Sequence, residues 1–234
     1  MKKRLFILLA LLPVMIAFAQ DNRLSTRLYG TVGHSYAEDF YGALSAVADY
    51  KTADLLTLTG GVEMFRGRGY AATAAWQCNL PWWGKHLFLY NRYLYRLFAR
   101  WNLNEYSTHV ALGYESKHWR LALGMANRIM SPFRPYDNTG STEYVLEPFN
   151  VMYEFQYQLN FGRDDRWNMA LRISDYDDFV TDRAYQPIFS ATTGRQLGHG
   201  LTGFGRLVCY PTGMLSLSAN YYQIYLNLGV QKQW

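Results

Sequence analysis

The sequence predicts an all-β protein, a closed antiparallel transmembrane β-barrel of twelve strands, with ten or fourteen as the alternatives. Three observations carry this. Long stretches alternate apolar and polar residues with period two, as a strand with one face in an apolar medium requires. Beyond the N-terminal segment no apolar run approaches the roughly 20 residues a membrane-spanning helix needs. Aromatic residues make up 17% of the 234, and Trp82, Trp83, Trp101, Trp119, Trp167 and Trp234 fall near strand ends, where interfacial girdles sit.

The composition narrows the class further. Charged residues are 18% of the chain, below the roughly 25% of soluble domains. Two Cys exclude a disulfide scaffold and a four-thiolate metal site. Met1-Lys2-Lys3-Arg4, an apolar run over 5–18 and Ala17-Phe18-Ala19 form a signal peptide, residues 1–19, leaving 20–234 as one barrel. Cleavage removes three basic residues and no acidic one, so the formal charge falls from +5 to +2. No Lys/Arg cluster remains to suggest nucleic-acid binding.

The last segment alternates most cleanly. Tyr222, Ile224, Leu226, Leu228 and Val230 form one face, and Gln223, Tyr225, Asn227, Gly229 and Gln231 the other. The same pattern marks 149–161, 167–174, 119–126 and 70–80. The polar faces are mostly Gly, Ala, Ser, Thr, Asn and Gln, which suits a crowded wet lumen better than a soluble sandwich's outer surface. Strands are expected at 24–34, 39–50, 55–66, 69–80, 86–99, 104–114, 118–129, 147–161, 166–175, 198–210, 214–220 and 222–234. Short turns near 51–54, 81–84, 115–117, 162–165 and 211–213 belong to the end with the termini; 130–146 and 176–197 are long loops at the other. Arg134, Tyr136 and Arg195 make these loops the candidate contact surface. Closure requires the last strand to pair with the first, since an open edge would leave backbone groups unsatisfied in lipid.

The C-terminal strand, with Leu226, Leu228, Val230 and Trp234 at alternate positions, resembles the β-signal of bacterial outer-membrane β-barrel proteins. Lys232 departs from it, standing where an apolar residue is preferred. The resemblance is to a class and identifies no specific family. It implies a bacterial outer-membrane location, contact with outer-membrane lipids, and recognition of the strand ending at Trp234 by the barrel-assembly machinery. Short turns then lie on the periplasmic side.

The polar face places Arg27, Arg92, Arg96, Arg120, Arg128, Arg172 and Arg206 in the lumen, against Glu63, Glu154 and Asp175. That inventory predicts a positive interior and a pore or binding barrel for small anionic solutes, because a guanidinium grips carboxylates bidentately and stays charged. Small twelve-stranded channels for acidic oligosaccharides are similar in size and in their arginine tracks. The alternative is a structural or interaction barrel whose arginines pair internally and plug the lumen. A third reading, an outer-membrane lipid hydrolase, has only Ser107 and His109, two apart on one strand face, as weak catalytic candidates. No cofactor or metal site is expected. Cys78 and Cys209, on different strands, are expected as free thiols near the same end, and the acidic residues at 175–182 as solvated loop charge.

Overall fold

The structure, a computed structural model, describes residues 23–35, 38–53, 55–66, 69–83, 86–99, 102–132, 144–162, 166–181, 186–212 and 220–234. The expected signal peptide lies outside the described residues, as do Arg134 and Tyr136. The strands are β1 (Leu24–Ser35), β2 (Glu38–Ala53), β3 (Leu56–Phe65), β4 (Gly69–Asn79), β5 (Leu87–Phe98), β6 (Leu103–Glu115) and β7 (Trp119–Pro132). They continue with β8 (Val145–Phe161), β9 (Trp167–Ser174), β10 (Tyr176–Asp177), β11 (Val180–Thr181), β12 (Ile188–Gly198), β13 (Leu201–Thr212) and β14 (Asn220–Gln233). Twelve of them close into one antiparallel barrel, each paired with its chain neighbour except across the β10–β11 hairpin, where β9 pairs directly with β12.

Closure is made where alternation demands it. β14 pairs with β1 from Ser25↔Gln233 to Ser35↔Gln223, so Leu28, Val32, Leu226, Leu228 and Val230 share the outer face. Leu228 is 57% exposed while its neighbour Asn227, turned inward, is 6% exposed. The same inversion holds along β7 and β8, where Leu123, Met125, Phe149 and Val151 are exposed and Ala122, Ala126, Met152 and Glu154 are buried. Apolar side chains thus form the outer band and the lumen is filled by polar and aromatic ones, the reverse of a water-soluble sandwich. Trp82, Trp83, Trp119, Trp167 and Trp234 are exposed around the end that carries the chain's last residue, here the terminal end. Towards the other, the loop end, Tyr95 packs against Tyr70 and Tyr106 with ring centroids 5.8 and 4.9 Å apart.

The strand number agrees with the expectation, but two of the expected strand assignments do not. Residues 188–198, read as part of a long loop, are barrel strand β12. Its outward residues, Phe189, Ala191, Thr193, Arg195 and Leu197, alternate too weakly in polarity to signal a strand. Arg195 is therefore not in a loop: its guanidinium lies 5.3 Å from the ring of Trp167, near the terminal end. Residues 214–219, read as most of a strand, lie outside the described residues, and β14 runs unbroken from Asn220. With β12 counted and β13 pairing directly with β14, the total is unchanged but the direction of 201–212 is inverted. Pro211 and Thr212 consequently lie at the loop end, and Cys209, paired across from Phe189 and Ile224, lies far from Cys78 near the terminal end. Both thiols are free.

The β12–β13 turn that sequence patterning hid is a tight one. Gly198, His199 and Gly200 all have positive φ, at 108°, 51° and 72°. A Cβ on Gly200 would stand 2.5 Å from the carbonyl oxygen of Gln233, so glycine is required there twice over.

An arginine in place of Leu228, centred on the outer face of β14, is expected to destabilise the barrel by ~2–4 kcal/mol in lipid vesicles. Urea unfolding followed by tryptophan fluorescence measures this, and an unchanged midpoint would mean that this face does not meet hydrocarbon.

Candidate functional site

The lumen is crossed at mid-height by the β10–β11 hairpin. Its entry is fixed locally. β9 is eight residues long beside the seventeen of β8, so the sheet runs out of partner after Ser174. Asp175 takes over: its carboxylate accepts the Tyr153 backbone N–H at 2.9 Å. Ser174 Oγ donates to the Tyr176 carbonyl at 2.6 Å, and the Asp177 carboxylate accepts the Asp178 backbone N–H at 2.8 Å, the local side-chain bonding that turns favour. The chain therefore folds inward instead of leaving the barrel as the expected loop.

Three side chains seat the hairpin in the wall. Tyr176 packs with Phe88, Ala111, Ala122, Ala126 and Met152. Phe179 packs with Tyr29, Val47, Ala71 and Leu94, and Val180 against Ile188, Val208, Tyr210 and Tyr225. Gly61 makes room for Phe179, whose ring would touch a Cβ there at 3.0 Å. Small wall residues opposite large hairpin ones give the close packing of an interior.

The buried charges are arranged in pairs. Glu105, 1% exposed, receives Arg96 at 3.3 Å and Arg128 at 3.0 Å. Glu154 receives Arg120 at 3.2 Å and Arg172 at 2.8 Å, and also accepts the Tyr176 hydroxyl. Arg120 also reaches Glu115 at 2.6 Å. Asp177 receives Arg206 at 2.8 Å and Arg172 at 3.5 Å; Asp178 receives Arg27 at 3.2 Å. Arg92 donates to the hairpin carbonyls of Asp178 and Val180 at 3.0 and 3.4 Å.

On the terminal side of the hairpin the lumen is open. A cavity of about 680 Å³ at the terminal end is lined by polar groups including Lys51, Gln77, His86, Glu115 and Gln233. It shares Tyr90, Arg120 and Gln231 with a second cavity of about 310 Å³ whose roof is the hairpin itself. On the loop side of the hairpin a small cavity of about 30 Å³ lies beside Tyr41, Tyr210 and Tyr225.

Arg92, Arg96, Arg120, Arg128, Arg172, Arg206, Glu63 and Glu154 all turn inward, but they do not form one site. Arg96, Arg128 and Glu63 stand on the loop side, with Glu63 accepting from Ser45 at 2.8 Å and Tyr41 at 3.3 Å. Arg120, Arg172 and Arg206 border the terminal-side cavity. The inventory of three acids was short: Asp49, Glu105, Glu115, Glu147, Asp177 and Asp178 also pair with lumen arginines. Glu105 was legible by alternation with Ser107 and His109. Asp177 and Asp178 were not, because nothing in the pattern says that a polar connection turns into the barrel.

Ser107 and His109 are fully buried on the lumen side and face no lipid. His109 Nε2 lies 3.3 Å from the Thr181 hydroxyl, and the serine Oγ has no hydrogen-bond partner among the described residues. The two side chains therefore form no nucleophile–base pair. No group of three or more His, Cys, Asp or Glu suited to a metal ion occurs among the described residues.

No protein-family model matches the chain, and no curated protein does. Solved structures do. The KdgM porin in complex with disordered oligogalacturonate superposes with a TM-score of 0.52 at 8% identity, covering 90% of this chain and 99% of that one. The NanC porin gives 0.50 at 10%, covering 90% and 100%. Omp33 of Acinetobacter baumannii gives 0.50 at 10%, covering 92% and 100%. At such identities the shared property is the fold: this chain has the architecture of the outer-membrane β-barrel proteins.

Proposed function

We propose that the protein resides in the bacterial outer membrane as a small pore or binding barrel for anionic solutes, entered from the terminal end. The observation that carries this reading is the pair of joined polar cavities ending on four guanidiniums, those of Arg27, Arg120, Arg172 and Arg206, set against three carboxylates, those of Glu154, Asp177 and Asp178. A wet cul-de-sac with a cationic floor raises the local concentration of anions and offers them bidentate donors. The KdgM porin, similar in fold, carries an oligogalacturonate, a polymer of acidic sugars. In this orientation the terminal end faces the periplasm, the apolar band contacts outer-membrane lipids, and the strand ending at Trp234 is the segment read by the assembly machinery. Positive charge is local to this floor and does not extend through the lumen.

The second reading, a structural barrel with a plugged lumen, is favoured by one observation: the hairpin closes mid-height and its acids satisfy the surrounding arginines. The two readings predict different currents. Purified protein in a planar bilayer is expected to give discrete steps biased to anions, with the bias reduced several-fold by Arg120→Glu. A silent bilayer, with folded protein shown to be inserted, would leave the plug.

The ion pairs set the stability of the closed state under either reading. Glu154→Gln leaves Arg120 and Arg172 buried without their shared carboxylate and is expected to cost ~3–5 kcal/mol. Denaturant unfolding in vesicles measures it, with Glu115→Gln, an exposed acid at the open end, costing much less.

A further inference from the structure

We infer that Arg27, Arg172 and Arg206 form a binding site for carboxylate-bearing solutes that the chain's own hairpin occupies, so that solute binding and hairpin seating compete. This rests on the pore reading and adds to it the ligand chemistry and the competitor.

The inference starts from an asymmetry in the barrel wall. β9, β12, β13, β14 and β1 are consecutive in the ring, and none contains an Asp or Glu. Arg27, Arg172 and Arg206 nevertheless project inward from them, among neutral groups such as Ser190, Thr192 and Asn227. The opposite wall neutralises its own arginines with strand-borne acids, Glu105 for Arg96 and Arg128, and Glu115 with Glu154 for Arg120. On the acid-free wall Arg172 leans on Glu154 of β8 at 2.8 Å and reaches the hairpin's Asp177 at 3.5 Å, whereas Arg206 and Arg27 take their nearest carboxylates from the hairpin. Arg206 meets Asp177 at 2.8 Å, and Arg27 has Asp178 at 3.2 Å, nearer than Asp49 of β2 at 3.7 Å. The hairpin therefore places two carboxylates where the acid groups of a ligand would lie.

Access and spare bonding capacity agree with this. The three guanidiniums and both hairpin acids line the 310 Å³ cavity, so a solute reaches them from the terminal end without passing the hairpin. Among the described residues Arg27 Nε is a buried donor without a hydrogen-bond partner, and Asn227 Oδ1 is a buried acceptor without one. Buried polar atoms of this kind are costly unless a bound group completes them. Tyr29 and Phe204, packed edge to face at 6.0 Å, offer apolar surface beside the charges, which suits an acidic mono- or disaccharide with a carboxylate at one edge and an apolar ring face. A free carboxylate must outcompete a tethered one of high effective concentration, so the closed state persists until solute is abundant.

The test uses the full chain in planar bilayers, with the double variant Asp177→Asn/Asp178→Asn and digalacturonate as the probe. The double variant is expected to raise the open fraction about tenfold, the effect of ~1.4 kcal/mol, and to move the reversal potential towards that of chloride. Digalacturonate is expected to open the wild type, and uncharged digalactose is not. Arg206→Gln keeps the hairpin acids and removes one receiving group; its response to digalacturonate should weaken about tenfold, which reads the site even if the double variant does not fold. A third variant replaces Tyr176–Thr181 with a Gly-Ser linker. If that barrel folds and conducts, while the double variant keeps wild-type selectivity and digalacturonate acts no differently from digalactose, this inference is overturned and the pore reading stands. A folded but silent linker variant overturns both.

Discussion

A chain that crosses hydrocarbon as strands must give every backbone N–H and C=O a partner within the protein, and the rest of this structure follows from that demand. It forces β14 onto β1 and makes the sheet a ring. A ring of this size encloses a lumen that side chains must fill or water must occupy. The outer face has no freedom left, since lipid selects Leu, Val and aromatic residues there. All chemical choice is confined to the inner face, at every second position.

How the lumen is filled decides what the barrel can do. One wall carries arginines and acids on neighbouring strands, so most of its charges pair within the wall through bridging carboxylates such as Glu105. The other wall has arginines and no acids, and it depends on a segment that arrives from elsewhere. The hairpin supplies Asp177 to Arg206 and Asp178 to Arg27, with Glu154 of β8 serving Arg172, while its Tyr176, Phe179 and Val180 fill hollows in the ring. Its two contributions differ in kind: packing is lost whenever the hairpin leaves, whereas an incoming anion can replace the charge. A wall neutralised by a replaceable group is a different object from one neutralised by its own strands, even where distances and burial look alike.

The lumen is also unequal along its axis. Towards the terminal end it widens into polar space, and on the other side of the hairpin Tyr41, Tyr210 and Tyr225 pack round a much smaller cavity. Ser107 and His109 illustrate what such an interior does to chemically suggestive residues. Placed on the inner face behind the hairpin, they meet no lipid and no mobile solute, and their proximity is a consequence of strand periodicity. Arg96 and Arg128 are likewise held by Glu105 on the loop side and are separated from the accessible cavity, so seven inward arginines are not seven equivalent sites.

The sequence by itself determined the parts of this protein that a local period encodes. Alternation from Gln223 to Val230 fixed which residues face lipid, and the demand for closure fixed the partner strand. It also turned the seven lumen arginines inward, and would have turned Glu105 inward had its parity been counted. It failed at Ile188–Gly198, where weakly apolar outward residues carry no period, and so misread that strand as loop and reversed the strand after it. Only the tertiary structure decided where Asp175–Thr181 goes. Entry into the lumen depends on the early end of β9, on a backbone rung of β8 taken by Asp175, and on hollows shaped by Gly61 and Ala126 on distant strands. Those are long-range complementarities of shape and charge, and no window of neighbouring residues contains them.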